Sequence, residues 1–316
     1  MQTLTAETLH TLLTPTLVVD ALRRGFASGV HVPLRHHHTI PTEADPGTLL
    51  IMPAWSESND ERAVLGVKLA NVYTSNPQKG IPSIQGAYIL FEKRTGTPVA
   101  TLDGSTITLF RTAAASVLAA TYLARSNSKR LLMVGTGRLV PYIVRTYVEV
   151  MGIEDVRIWG RNPEKAKSSV QSLASLNIEA NTISEIKEGV DWADIISCAT
   201  TSTSPLVLGR WLKPGHHVDL IGGFTEEMRE TDDEAARLSS IFVDTRDGAL
   251  SEAGDLIQPL RNGVIQESNI LAELADLVTH KHSGRSSVQE ITLFKSVGTA
   301  LEDLATAQLA VDLANS

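Results

Sequence analysis

Leu131-Leu132-Met133-Val134-Gly135-Thr136-Gly137 joins an apolar run of strand length to a turn with two glycines, and Leu139 to Met151 reads as a helix behind it. In this setting the glycines permit a tight bend, and the start of the helix offers backbone N–H groups to a pyrophosphate. Val140 stands where the usual pattern has its third glycine. The chain downstream supplies the context that a Gly-x-Gly alone lacks. Asp155 to Trp159 is a strand, and Pro163 to Leu176 is a helix with proline at its first position. Ile178 to Thr182, Ile195 to Ala199, His217 to Ile221 and Ile241 to Asp244 continue as short apolar strands. Such alternation predicts a parallel sheet covered on both faces, the Rossmann-type doubly wound α/β fold.

The end of the second strand bears on the choice of nucleotide. A site selective for the unphosphorylated ribose places Asp or Glu about 20 residues beyond the glycines. Here Ile158-Trp159-Gly160-Arg161-Asn162 carries no carboxylate. An acid would repel a 2′-phosphate and Arg161 would pair with it, so NADPH is the expected cofactor, with NADH as the alternative. The plainer reading of Arg161 is a solvated loop cation.

Upstream the texture differs. Thr14 to Phe26 has apolar residues at helical spacing: Leu17, Val18, Ala21, Leu22 and Phe26. Thr48 to Ala54, Ala63 to Leu69 and Ser83 to Phe91 read as strands. Lys93-Arg94-Thr95-Gly96 turns the chain into Pro98 to Leu102, which Asp103-Gly104 closes, so an antiparallel sheet is expected. Thr108 to Arg125 is an alanine-rich helix with Thr108 as its N-cap. Thr292 to Leu313 reads as a final helix that returns to this part of the chain. Two domains follow: an α+β domain of residues 1–118, completed by 292–316, and a dinucleotide-binding domain of residues 119–291.

The 316 residues carry 28 Lys and Arg against 36 Asp and Glu, a formal charge of −8 with no concentrated basic run. Nucleic acid and acidic membrane surfaces are therefore not expected partners. A single cysteine, Cys198, excludes an internal disulfide and suits a reducing compartment. Met1 to His10 lacks the pattern of a signal peptide, and no stretch reaches ~18 uninterrupted apolar residues. A cytoplasmic location is the expectation.

Three cations of the first domain invite a chemical reading. Arg111 is placed in the first turn of the alanine-rich helix, among apolar neighbours where an unpaired cation is costly. It is either bonded to an internal acid or the receptor of a substrate carboxylate. Lys68 interrupts the apolar run Val64 to Ala70, where strand alternation also allows it to face solvent. Arg35 precedes His36-His37-His38. Successive histidines on a strand point in alternating directions, so the three do not share a metal, and no metal site is expected.

Gly66-Val67-Lys68, Thr95-Gly96-Thr97-Pro98, Leu102-Asp103-Gly104, Thr108-Leu109-Phe110-Arg111-Thr112-Ala113-Ala114, Gly135-Thr136-Gly137, and Leu293-Phe294-Lys295-Ser296-Val297-Gly298 with Glu302-Asp303 together resemble the ornithine cyclodeaminase/mu-crystallin family over nearly the whole chain. The resemblance implies a homodimer whose first domain serves substrate binding and dimerisation. It implies that Arg35, Lys68 and Arg111 bind a substrate carboxylate facing a nicotinamide, with Lys68 and Arg111 as the catalytic pair and Gln85 as a further substrate contact. On the cofactor side it implies Gly135, Thr136, Gly137, Arg138 and Leu139, then Arg161 and Asn162. Thr200 and Gly222 follow, with Ser296 and Val297 beside the nicotinamide.

One departure separates reactions within the family. Cyclodeaminases carry Asp after the glycine pair where this chain has Gly222-Gly223-Phe224. Phe224 removes no proton and would instead offer an apolar wall to the substrate. Gly223 to Glu230, Asp244-Thr245-Arg246 and Gly254-Asp255-Leu256 resemble the branch that reduces Δ1-pyrroline-2-carboxylate and Δ1-piperideine-2-carboxylate to L-proline and L-pipecolate. The implied substrate is a small cyclic imino acid. The alternatives are an ornithine cyclodeaminase, an alanine-dehydrogenase-like enzyme and an NADPH-dependent small-molecule binding protein.

Overall fold

The structure, a computed structural model, describes residues 1–42 and 46–316, the side chain of Pro77 excepted. The chain forms two compact units, one of Met1–Arg111 with Thr299–Ser316 and one of Thr112–Gly298.

The first unit is built on a sheet in the order Gln2–Leu4, Pro98–Asp103, Ile84–Glu92, Val64–Val72, Gly47–Ser56 and Val30–His31, with His36–Ile40 also paired to Gly47–Ser56. Its pairs are antiparallel except at one edge, where Gln2–Leu4 runs parallel to Ala100–Leu102. Strand alternation assigns the faces. Met52, Lys68, Tyr88 and Leu102 stand opposite one another across four strands, and all four are buried. The helix Ala300–Ala314 packs on this sheet and on the helix Pro15–Ala27. In the latter Val18, Ala21, Leu22 and Phe26 are buried as their spacing predicts, whereas Leu17 is exposed. His36, His37 and His38 are exposed.

Two expectations need correction. The alanine-rich helix spans Gly104–Leu123 and so begins four residues before Thr108. Asp103 Oδ1 accepts the Thr106 N–H at 2.7 Å and does the capping, while the Thr108 hydroxyl donates to Gly104 O at 2.8 Å inside the helix. Arg111 therefore sits in the third turn, beyond the reach of helix-terminal charge. Thr292–Lys295 is a strand, and the last helix starts only at Ala300. All four strand residues are buried, so no polar face marks their period. The unit boundaries accordingly fall at 111/112 and 298/299, where patterning alone sets 118/119 and 291/292.

The second unit carries eight parallel strands in the order Asn181–Thr182, Asp155–Trp159, Arg130–Val134, Ile195–Cys198, His217–Leu220, Thr292–Lys295, Ser240–Val243 and Ile270–Glu273. Alternate residues enter two separate cores. Leu131, Met133 and Ile195 pack with Val144 and Tyr147, while Leu132, Val134 and Ile196 pack with Val190 and Leu256. Both faces are thus covered, as a Rossmann-type sheet requires. From Arg130–Val134 the chain steps outward to one edge, then returns to build the other side. The glycine turn lies at this switch in strand order, where open α/β sheets bind ligands.

Candidate active site

The first unit brings Lys68 and Arg111 together over two acids of its last helix. Lys68 Nζ lies 2.8 Å from Asp303 Oδ1 and 2.7 Å from Oδ2, and it donates to the Thr108 hydroxyl at 3.3 Å. Arg111 Nη1 donates to Glu302 Oε2 at 2.8 Å, and its Nε stands 3.3 Å from Asp303 Oδ1. All four side chains are buried. Lys68 thus faces the interior, not solvent, and Arg111 is bonded to internal acids. Burial lowers the Lys68 pKa to about 8 although Asp303 raises it, and the charges of Arg111 and Arg35 lower it further. Arg35, half-buried, therefore belongs to the same electrostatic cluster.

Gln85 does not join it. It pairs with Asn71 and is exposed on the face opposite Lys68 and Tyr88, because side chains alternate along a strand. Tyr88, which the sequence does not single out, is fully buried beside this cluster, and burial together with Asp303 holds its phenol neutral.

In the second unit a cleft of about 270 Å³ opens at the carboxyl ends of the first strands. Gly135, Thr136, Gly137, Trp159, Arg161 and Asn162 line it, with Lys165 and Thr200. Gly135 has φ +135°, and a Cβ there would stand 2.6 Å from Ala199 O, so only glycine fits the bend. No carboxylate lines the cleft, whereas Arg161 and Lys165 do. These features fit a dinucleotide. The Asn162 side-chain oxygen accepts Glu164 N–H at 2.9 Å and Lys165 N–H at 3.2 Å, capping the helix Pro163–Ala174 and aiming its N-terminus at the cleft.

Other expected cofactor residues lie outside this cleft. Arg138 is exposed, and Leu139 packs on the core. Gly222 is tied to Thr200 by a residue without an assigned role in the sequence reading, Glu230. Its Oε1 accepts Thr200 N–H at 2.7 Å, and its Oε2 accepts Gly222 N–H at 2.8 Å. Ser296 and Val297 are buried, and Asp244 Oδ2 accepts the Val297 and Gly298 N–H groups at 2.8 and 2.6 Å. Acids next to apolar runs are the available signal for Asp244, Glu302 and Asp303, since such groups require partners when buried; Glu230 stands in the charged stretch 225–234, where nothing in the sequence marks it as buried.

A model of the ornithine cyclodeaminase/mu-crystallin family matches residues 3–316. The chain belongs to this family. The Δ1-pyrroline-2-carboxylate reductase of Paracoccus denitrificans is 38% identical over 280 residues, which cover 86% of this chain and 87% of the relative. The ketimine reductase mu-crystallin of Rattus norvegicus is 33% identical over 292 residues, covering 91% and 87%. Among solved structures, Thermococcus litoralis Δ1-pyrroline-2-carboxylate reductase in complex with NADH and L-proline matches with a TM-score of 0.94 at 37% identity, covering 100% of this chain and 98% of that one. In this member of the ornithine cyclodeaminase/mu-crystallin family, Phe224 is half-buried after the glycine pair. The acids nearby, Glu230 and Asp255, are buried and already accept backbone N–H groups.

Proposed function

We propose that this protein reduces Δ1-pyrroline-2-carboxylate, and the six-membered Δ1-piperideine-2-carboxylate, to L-proline and L-pipecolate with NADPH. The protein is an NAD(P)H-dependent oxidoreductase acting on C=N bonds, the class of its named relatives. The observation that carries the finer reading is the convergence of Arg35, Lys68 and Arg111 on one buried electrostatic cluster. Glu302 and Asp303 balance two of these three charges, and a substrate carboxylate would balance the third through charge-assisted hydrogen bonds.

Gly135, Thr136, Arg161 and Asn162 would hold the dinucleotide, whose reduced nicotinamide would supply a hydride when bound. Arg35, Lys68 and Arg111 hold the carboxylate and so orient one face of the imine carbon, which removes much of the entropic cost of the reaction. Lys68, with its pKa near 8, is also a candidate to carry a proton at its Nζ. Phe224 supplies an apolar wall, and Arg161 with Lys165 favours the 2′-phosphate of NADPH. The reading extends to a cytoplasmic homodimer, supported by the family assignment and by the lone, buried Cys198.

Absorbance of NADPH and NADH followed with both cyclic imines, ornithine, and pyruvate with ammonia tests the proposal. Oxidation of NADPH with the cyclic imines, faster than with any other pair, is the expected result. Ammonia release from ornithine without added imine would overturn it, as would tight NADPH binding with no turnover of either imine.

A further inference from the structure

Beneath the Gly222-Gly223 turn of the second unit lies a line of three charged residues that the proposed reaction does not use. Lys295 ends the strand Thr292–Lys295, is wholly buried, and makes no hydrogen bond to a described residue. Its Nζ faces Asp255 Oδ2 at 3.4 Å. The other oxygen of Asp255 accepts Glu230 N–H at 2.7 Å and Thr231 N–H at 3.0 Å. Glu230 then reaches two loops at once. Its Oε1 accepts the Thr200 N–H at 2.7 Å and the Thr200 hydroxyl at 2.8 Å, while Oε2 accepts Gly222 N–H at 2.8 Å. The packing leaves no slack: a Cβ at Gly223 would come within 2.6 Å of Asp255 Oδ2 and 3.4 Å of Lys295 Nζ.

We propose that Lys295 is a positioning residue of the dinucleotide site: through Asp255 and Glu230 it fixes the Thr200 and Gly222 peptide groups that follow two adjacent strands. Three donors point at Glu230, two of them peptide N–H groups that cannot reverse; a carboxylate accepts all three, whereas a protonated acid gives up the bond from the Thr200 hydroxyl, which must turn round to accept. Burial favours that protonated form, Asp255 reinforces it, and Lys295 opposes it. Cys198 and Asp219 lie in the same electrostatic environment, and burial keeps the Cys198 thiol neutral. With Lys295 in place the Glu230 pKa is about 7, so Lys295 is the cation that lets the clamp close as pH rises through neutrality. A lysine serving only as filler would have no such dependence on pH.

The inference rests on the dinucleotide reading of this unit and is tested on the full chain by NADPH fluorescence titration between pH 5.5 and 9, with thermal melting alongside. Lys295→Met should weaken NADPH binding by roughly tenfold or more near pH 7.5, where Glu230 is ionised only if Lys295 faces it, and should recover toward wild type by pH 9 as Glu230 ionises. Glu230→Gln should be weak at every pH without recovery. An unchanged affinity in Lys295→Met, or a loss equal at all pH values, overturns the proposal. Should Lys295→Met not fold, the isosteric Glu230→Gln decides: wild-type affinity at pH 8 overturns it. A wild-type protein that binds neither NADPH nor NADH would sink the functional reading itself, and that failure shows without any variant.

Discussion

Lys68 and Asp303 stand 235 residues apart in the chain, yet their charged groups meet at 2.7 Å inside the first unit. Arg111 and Glu302 repeat the arrangement one residue away on the same helix. Two cations and two acids, all buried, form a cluster in which each charge depends on the others for its solvation. Replacing Asp303 by Ala should therefore cost about 3–5 kcal/mol of stability, because it strands Lys68 and Arg111 without their shared counter-charge. Urea denaturation measures this; a cost below about 1 kcal/mol would show that solvent screens the cluster after all.

Arg111→Ala separates the chemical from the architectural role. Turnover of Δ1-pyrroline-2-carboxylate should fall by about a hundredfold or more, with the Kd for NADPH nearly unchanged. Equal losses in turnover and in cofactor affinity would make Arg111 a purely structural member of the cluster.

The depressed Lys68 pKa makes anion binding depend on pH. Near and below pH 8 its ammonium is charged and attracts a carboxylate; above that value the charge is lost. A bound carboxylate favours the charged form, so binding above pH 8 takes up a proton. The Kd of cyclopentanecarboxylate, which has no titrating nitrogen, should rise above about pH 8 by up to tenfold for each pH unit. Lys68→Arg should remove that break, since a guanidinium stays charged throughout the range.

Most of this architecture can be read from local pattern, and the failures share a cause. The glycine turn and the alternating strands are legible because each obeys a short-range rule, whereas the grouping of Arg35, Lys68 and Arg111 comes only from the family resemblance. The acids Glu302 and Asp303 were not assigned, although they interrupt a helix whose buried residues include Leu301 and Leu304. Their partners lie far away in sequence, which no periodicity encodes. Gln85, which only the family resemblance suggests, lies on the strand face opposite Lys68, and Thr108 is not the cap because Asp103 serves at the start of the helix. Thr292–Lys295 was taken for helix because a fully buried strand has no face to alternate.

Cofactor choice turns on the two cations of the cleft. Arg161→Ala and Lys165→Ala should each raise the Kd for NADPH by roughly tenfold and leave that for NADH within about twofold, since only the former carries the extra phosphate. An equal effect on both cofactors would reassign these side chains to the pyrophosphate or to solvent.

Acid should destabilise the second unit through a buried histidine. Burial, with help from Arg285, lowers the His217 pKa to about 3, and burial first lowers His216 to about 4. Between the ordinary value near 6.5 and these values, the unfolded chain takes up protons that the folded chain refuses. Stability is thus unaffected by these groups above about pH 6.5 and falls as pH drops below it, by a few kcal/mol for His217. Chemical denaturation at pH 7 and pH 4.5 should show a smaller difference for His217→Gln than for wild type. An identical difference would place the acid sensitivity elsewhere.

The return of the last helix to the first sheet also sets an order of events on the ribosome. Arg111 is made 191 residues before Glu302, a delay of roughly 10 to 40 s at about 5 to 20 residues per second. Through that interval the nascent first sheet holds cations whose counter-charges do not yet exist, while the strands of the parallel sheet are translated one after another, Thr292–Lys295 last. Both units are therefore completed late and almost together, because Thr292–Lys295, which stands inside the parallel sheet between His217–Leu220 and Ser240–Val243, precedes Glu302 by only seven residues.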